Sequence, residues 1–314
     1  MTGSLFGIGT GDEDVAAIRA LRSDPPGMAS DGKRGKTFGA GLEQFEQLLR
    51  AGREAPPTSA PILLFYALAQ AGRAILAAHA PQPWEVHGHG LSIGIEGEEI
   101  GATKIAPSGE GLFQAVAAVT GSDLLTEPIT LAEVWARIPH LPRSGDLAPG
   151  GPTIFAVDFT SPHPRHRIIR DETGSLLTRA EDFTSRWDDF PELAEAELHV
   201  SSQGNYVVVG VEFSVDQDTA DFDATLWPYL GQRYLRVSRG AGQEPSGLML
   251  WWMLPQALSQ FARYEPARWT TALAPDGSML AVPLEEALQR GAIILPRLLR
   301  EALGPRELRS PRSQ

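Results

Sequence analysis

Two stretches of this chain are apolar on almost every side of a helix, and they constrain whatever surrounds them. The first is PILLFYALAQAGRAILAAH over residues 61–79; the second is LMLWWMLPQALSQFARYE, in a segment opening near Gly247. A helix without one polar face is buried on most sides or crosses a membrane. Arg73 interrupts the first and Pro255 the second, so both fall short of the about 20 apolar residues a span needs. Both therefore predict core helices that the rest of the chain must wrap. Ser59 is placed to cap the first helix, with Pro61 in its first turn. Pro255 predicts a kink in the second, and Pro266 a stop, because Glu265 before it is biased away from helix.

Around these helices the texture alternates. Residues 1–36 read as a variable, partly disordered lead-in, with a short helix at 15–21 and a breaker run at 23–27. Phe38, Leu42, Phe45, Leu48 and Leu49 recur at helical spacing within 38–53. A hairpin is expected around Gly97-Glu98-Glu99 within 91–105, then helices at 112–119 and 131–138, the latter capped by Thr130. The Gly- and Pro-rich segment 144–152 is the best internal boundary. Strands are expected at 153–159, 167–170, 197–201, 206–215 and 234–237, with a turn at Gln203-Gly204-Asn205. A final helix at 284–303 precedes a polar tail, 305–314, read as disordered. The fold class is therefore α+β. A single domain over 37–304 is expected, helical at 37–143, mainly antiparallel β at 152–240 and helical again at 246–304, with the helical ends packed together.

Charge and composition remove several function classes. The net charge is −12, from 39 acidic and 27 basic residues, which opposes extensive wrapping of nucleic acid. A local basic groove survives this argument, because nearly all the cations are arginine. The chain has no cysteine, so disulfides, thiolate metal sites and cysteine nucleophiles are excluded. The start MTGSLFGIGTGDEDVAA has neither the cationic opening nor the apolar run of a signal peptide. A cytoplasmic location without membrane association is the expectation.

Chemistry is carried by few residues. Tyr66, Gln70 and Arg73 form a narrow stripe on the first apolar helix, and Gln256, Ser259 and Arg263 form one on the second. A buried guanidinium is costly without a partner, so each arginine predicts an acid or carbonyls nearby, as a structural lock or an anion site. Trp84-Glu85-Val86-His87-Gly88-His89-Gly90-Leu91 places two histidines beside two glycines, a tight backbone able to approach a ligand. His87 and His89 alone are a weak metal signal. Arg73 and His79 have the Arg-x4-6-His spacing of HEPN ribonucleases, yet six residues along a helix is a rotation of about 240°, which separates their faces. Gly7-x-Gly9-x-Gly11 follows no strand, His163-Pro164-Arg165-His166 reads as a solvated turn, and Asp216, Asp218, Asp221 and Asp223 lack the glycine and glutamate of an EF-hand.

Several ordered blocks resemble the YaaC-like proteins of bacteria: LEQFEQLL at 42–49, LFYALAQAGRA at 64–74, GHGL at 88–91, GLF at 111–113, and ARYEP at 262–266 with Trp269. The resemblance covers roughly 38–303 and implies a bacterial cytoplasmic protein whose family has no established activity. Some relatives carry Lys at the position of Arg73, which favours a general cation role, and Ala74 stands where active HEPN proteins have a polar residue. The block residues His89, Arg263, Tyr264, Glu265 and Trp269 rank above His79. The leading expectation is a binding or regulatory protein, alone or in a stress or phage-defence complex. Its ligand residues would be Tyr66, Gln70, Arg73, His89, Arg263, Tyr264, Glu265 and Trp269, around a small anion. The alternative is a HEPN-like, metal-independent ribonuclease, in which Arg73 holds phosphate and His79 or His89 moves protons. A homodimer or a protein partner recruited by the middle sheet is a third expectation. No metal or other cofactor is expected.

Overall fold

The computed structural model of the chain describes residues 11–304 apart from 31, 144, 150, 151, 162, 172, 174, 215–218 and 238–243. Gly7, Gly9, Asp216, Asp218, the first ten residues and the expected tail lie outside the described residues. The architecture is α+β, with helices on either side of a β-rich middle. The helices are α1 (Asp12–Ala20), α2 (Gly32–Glu54), α3 (Ala60–His79), α4 (Leu112–Thr120), α5 (Leu131–Ala136), α6 (Glu181–Thr184), α7 (Thr219–Thr225), α8 (Gly247–Tyr264), α9 (Pro266–Ala272) and α10 (Ala281–Leu303). The strands are β1 (Leu91–Gly94), β2 (Lys104–Pro107), β3 (Ile129–Thr130), β4 (Ile154–Asp158), β5 (His166–Arg170), β6 (Glu197–Gln203), β7 (Tyr206–Glu212), β8 (Trp227–Tyr229) and β9 (Gln232–Arg236).

The first apolar stretch is α3, and it sits in the middle of the helical layer, touched by α2, α4, α8 and α10. Among the described residues it is the one helix long and apolar enough to cross a membrane, and 72% of its apolar window is buried inside the protein. Two glycines set the spacing. A Cβ on Gly41 of α2 would stand 2.9 Å from the Gln70 carbonyl, and one on Gly72 would stand 2.4 Å from the Trp252 ring of α8. The second stretch is α8, which runs unbroken through Pro255 and stops at Tyr264, where Pro266 starts α9. Thr130 caps α5 as expected, in a full capping box with Glu133.

The lead-in is more ordered than its composition implies. Ile18 of α1 packs into the core, Arg19 pairs with Glu46, and Arg22 reaches Glu43 and Glu46. The Gly/Lys/Arg segment at 32–36, part of the expected, partly disordered lead-in, instead opens α2. Its Arg34 donates to the carbonyls of Leu76 (3.4 Å) and Ala77 (3.0 Å) and lies 5.0 Å from the Trp84 ring centroid. That places a cation on the carbonyls of the last turn of α3, where the helix dipole favours it. Glycine-rich sequence is helical here because tertiary packing overrides propensity.

Both sheets are antiparallel. β1-β2-β3 is a small sheet, and the large one has the order β6-β7-β5-β4-β9-β8. Alternation gives the large sheet two buried faces. Ile154, Ala156 and Tyr234 join the helical core, whereas Phe155, Val157 and Leu235 join a second core with Phe183, Phe190, Phe213 and Phe222. His166, expected in a turn, is the first residue of β5. β8 and α6, α7 and α9 are not anticipated by the sequence patterns.

Between the sheet and the helices lies His140, one of two non-glycine residues with positive φ (70°) among those described. Its Nε2 is 3.4 Å from the Tyr234 hydroxyl. Burial, with a smaller contribution from Arg290 that Asp171 opposes, pushes its pKa down from 6.5 to about 4. The unfolded chain therefore takes up a proton near 6.5 that the native state refuses until about 4. Stability is expected to fall by about 3 kcal/mol across that window as pH drops, from about 1.4 kcal/mol per pKa unit. Asparagine tolerates positive φ and does not titrate. His140→Asn should thus flatten that part of the curve, measured by urea denaturation at pH 7, 5.5 and 4; an unchanged pH dependence refutes the assignment.

Candidate functional site

The site is assembled by α3, the His87–Gly90 loop and the C-terminal turns of α8. Tyr66 and Arg73 lie two helical turns apart on the exposed edge of α3, with half-buried Gln70 between them. Arg73 is therefore solvent-facing rather than buried, and the partner predicted for it is not required. Among the described residues its side chain makes no ion pair or hydrogen bond.

Arg263 is held by its own helix. Its Nε donates to the Ser259 carbonyl at 3.1 Å and its Nη2 to the Ser259 hydroxyl at 3.3 Å. That hydroxyl donates to the Gln256 carbonyl at 2.7 Å, so the buried stripe of α8 acts as a bracket for the guanidinium. The expected carbonyls are thus present, and no acid pairs with Arg263 among the described residues. The Arg263 Cζ stands 5.8 Å from the Phe65 ring centroid and 5.1 Å from that of Tyr264. Tyr264 is 67% exposed and Tyr66 38%. Glu265 is also exposed and pairs with neither arginine among the described residues.

His89 arrives from the other side. The carbonyls of Gly88 and His89 accept from the Leu112 and Phe113 amides (3.1 and 3.0 Å), satisfying donors at the N-terminus of α4. Gly90, with φ of 82°, meets Gly111 back to back, and a Cβ on Gly111 would fall 2.2 Å from the Gly90 nitrogen. The GHGL and GLF blocks are therefore two halves of one contact. It delivers the His89 ring edge-on to Phe65, 5.0 Å between centroids. Phe65 touches both groups, at 5.0 Å and 5.8 Å, which bounds the imidazole and the Arg263 carbon to within about 11 Å, the sum of the two. Partial burial, then Arg263, then Arg73, hold the His89 pKa below its usual value. At neutral pH the ring is neutral, with a donor and an acceptor to offer.

Two other sequence candidates sit elsewhere. α3 stays helical through His79, so the rotation of about 240° from Arg73 stands and the two do not share a face. His79 instead lies beside Gly27, under the Arg34 end of the helix. Trp269 is 1% exposed, and its indole donates to the Pro57 and Thr58 carbonyls (3.3 and 3.2 Å). It pins α9 to the connection between α2 and α3, out of reach of any ligand. Phe65, the ring that joins the two halves, was missed; its only signal was its place beside Tyr66 in LFYALAQ.

A family model of the YaaC-like protein matches residues 23–303. The chain belongs to the YaaC-like family. No curated protein and no solved structure matches it. The YaaC-like match takes in α2 through α10 and every residue of the site, but not α1. Among the described residues, no group of three or more His, Asp or Glu is arranged to hold a metal. A small cavity beside Leu64, Trp251 and Leu254 is apolar and encloses about 10 Å3, room for no more than a water. The candidate site of this YaaC-like chain is instead an open surface with two guanidiniums, one imidazole and two exposed tyrosines.

Proposed function

We propose that this protein binds an anionic ligand on the surface formed by Arg73, His89 and Arg263, and acts as a binding or regulatory protein in the cytoplasm. The observation that carries the reading is charge without compensation. Two guanidiniums press on one imidazole, and no carboxylate pairs with either among the described residues. In a chain of net charge −12, two guanidiniums that pair with no carboxylate among the described residues are suited to an anion from outside. Arg263 is pre-oriented by Ser259, which lowers the ordering cost of binding. Tyr66 and Tyr264 supply flat apolar surface beside the charges.

Inorganic pyrophosphate is a suitable probe. Its addition should raise the His89 pKa, read by NMR of the imidazole, because a bound anion offsets the guanidiniums and favours imidazolium. Arg73→Gln with Arg263→Gln should raise the same pKa without any anion and weaken pyrophosphate binding at least tenfold, on the order of 1.5–3 kcal/mol per charged hydrogen bond. A His89 pKa indifferent to both changes would sink the proposal.

A second reading is favoured by one observation, the His89 ring held neutral beside two guanidiniums. In the HEPN-like ribonuclease alternative, His89 rather than His79 does the acid–base work and Arg73 steadies the phosphate. RNA cleavage by the wild type that disappears in Arg73→Ala supports it. A wild type inert on RNA while retaining pyrophosphate binding leaves the binding reading alone.

A further inference from the structure

The large sheet has two edges, and they are built differently. One edge is β8, three residues long with Pro228 at its centre, a strand that offers little to a neighbour. The other is β6, seven residues reading ELHVSSQ, with no proline and no lysine. Natural edges are blunted by short length, proline, lysine or bulges, and β6 uses none of these. Among the described residues, no backbone hydrogen bond reaches it from any element other than β7.

The hairpin to β7 determines what the free edge presents. Gln203 pairs with Tyr206 across the two-residue turn Gly204-Asn205, with Gly204 at φ of 62°. Residues flanking a two-residue turn form a hydrogen-bonded pair, and such pairs alternate along the ladder. Gln203, Ser201, His199 and Glu197 therefore bond to β7. The N–H and C=O groups of Leu198, Val200 and Ser202 point outward. Leu198 and Val200 are also 37% and 50% exposed, although their cross-strand neighbours Val211 and Val209 are fully buried.

We propose that β6 is a self-association edge, pairing antiparallel with β6 of a second copy about a two-fold axis at His199. The argument for a second copy is self-complementarity. A two-fold antiparallel pair centred on His199 sets Leu198 opposite Val200 of the other copy, and Val200 opposite its Leu198. Both are outward-bonding positions, so each apolar pair is also a hydrogen-bonded pair. Four exposed aliphatic side chains then close over the sheet face continued by Val209 and Val211. On the opposite face, Glu197 meets Ser201, and no two carboxylates are opposed. Centring on Val200 would set Leu198 against Ser202 instead, an apolar side chain against a hydroxyl. The two six-stranded sheets would become one continuous sheet, without an open β6 edge.

The absence of cysteine makes the register directly testable. In the proposed pairing the two His199 Cα atoms face each other as a non-hydrogen-bonded pair about 4.5 Å apart, within disulfide reach. The two Ser201 Cα atoms are offset by four residues, about 13 Å along the strand, beyond it. With diamide as oxidant, full-length His199→Cys should cross-link to a covalent dimer at least tenfold faster than Ser201→Cys. Light scattering on the wild type at about 100 μM, a concentration suited to the modest contact of one strand pair, should give twice the mass of one chain. Val200→Lys, an exposed change that leaves the core untouched, should return it to a monomer. A wild-type monomer at that concentration, equal cross-linking of the two cysteine variants, or a Val200→Lys dimer overturns the proposal.

Discussion

Gly111→Ala is expected to cost about 4 kcal/mol or more and to lower the melting temperature by roughly 10 °C, because the clash is between backbones. A Cβ at this position would stand 2.2 Å from the Gly90 nitrogen, 2.6 Å from the Gly90 Cα and 2.8 Å from the His89 carbonyl carbon. None of these atoms can swing aside as a side chain does. Relief requires pulling the His87–Gly90 loop off α4, which breaks the Gly88 and His89 carbonyl caps on the Leu112 and Phe113 amides. Gly88→Ala is the matched control. Gly88 also has positive φ, 77°, but an added Cβ would meet nothing within 4 Å, so only the left-handed backbone penalty of about 1 kcal/mol applies. Thermal denaturation of the two variants separates close packing from backbone strain. Equal losses would mean that the interlock contributes nothing beyond glycine conformation. In a folded Gly111→Ala protein, the His89 pKa should also rise towards 6.5, because the ring would no longer be held against Phe65 and the two arginines.

The sequence made the helices legible because burial of α3 and α8 is a property of every position along them. The strands of the large sheet followed where alternation was long, as in β7, and failed where it was short, as in β8, whose three residues contain a proline. The stripe geometry correctly put Tyr66 and Arg73 on one face and Arg263 on the Ser259 side of α8. It misjudged what that face meets. In an otherwise apolar helix a polar stripe reads as a buried network, whereas on α3 it is the strip left uncovered by α2, α4, α8 and α10. Trp269 shows the opposite error. Its place beside the ARYEP block suggests a ligand residue, but its ring fills the corner below Pro57 and Thr58. The GHGL and GLF blocks were visible as separate motifs. Their meeting was not, since a contact between two glycine backbones twenty-odd residues apart leaves no periodic mark. Helical rotation already set Arg73 and His79 on different faces, and the continuity of α3 through His79 upholds that geometry.

Trp252→Ala should cost about 3–5 kcal/mol, the range for emptying a fully buried aromatic site. The indole lies over Gly72 of α3, edge-on to Phe113 of α4 with 6.3 Å between ring centroids. It therefore spaces three helices at once. The reciprocal change tests the same contact from the other side. A Cβ on Gly72 would come 2.4 Å from the Trp252 Cη2 and 3.1 Å from both its Cζ3 and a Val116 methyl. Helix propensity returns about 1 kcal/mol to Gly72→Ala, against an overpacking cost of about 1–3 kcal/mol, so the single variant should be modestly destabilised. Combining it with Trp252→Leu places the new methyl in vacated space. The double variant should be more stable than the sum of the singles by about 1 kcal/mol, and additivity would show that Gly72 and Trp252 do not constrain each other. The same pair governs the candidate site, because Arg73 rides on α3 and Arg263 on α8. Widening the gap between those helices moves one guanidinium away from the other, and the depression of the His89 pKa should shrink with it. A packing change beside Arg73 on α3, and three turns from Arg263 on α8, would then be read at the imidazole, which ties the small glycine of the core to the charge of the surface.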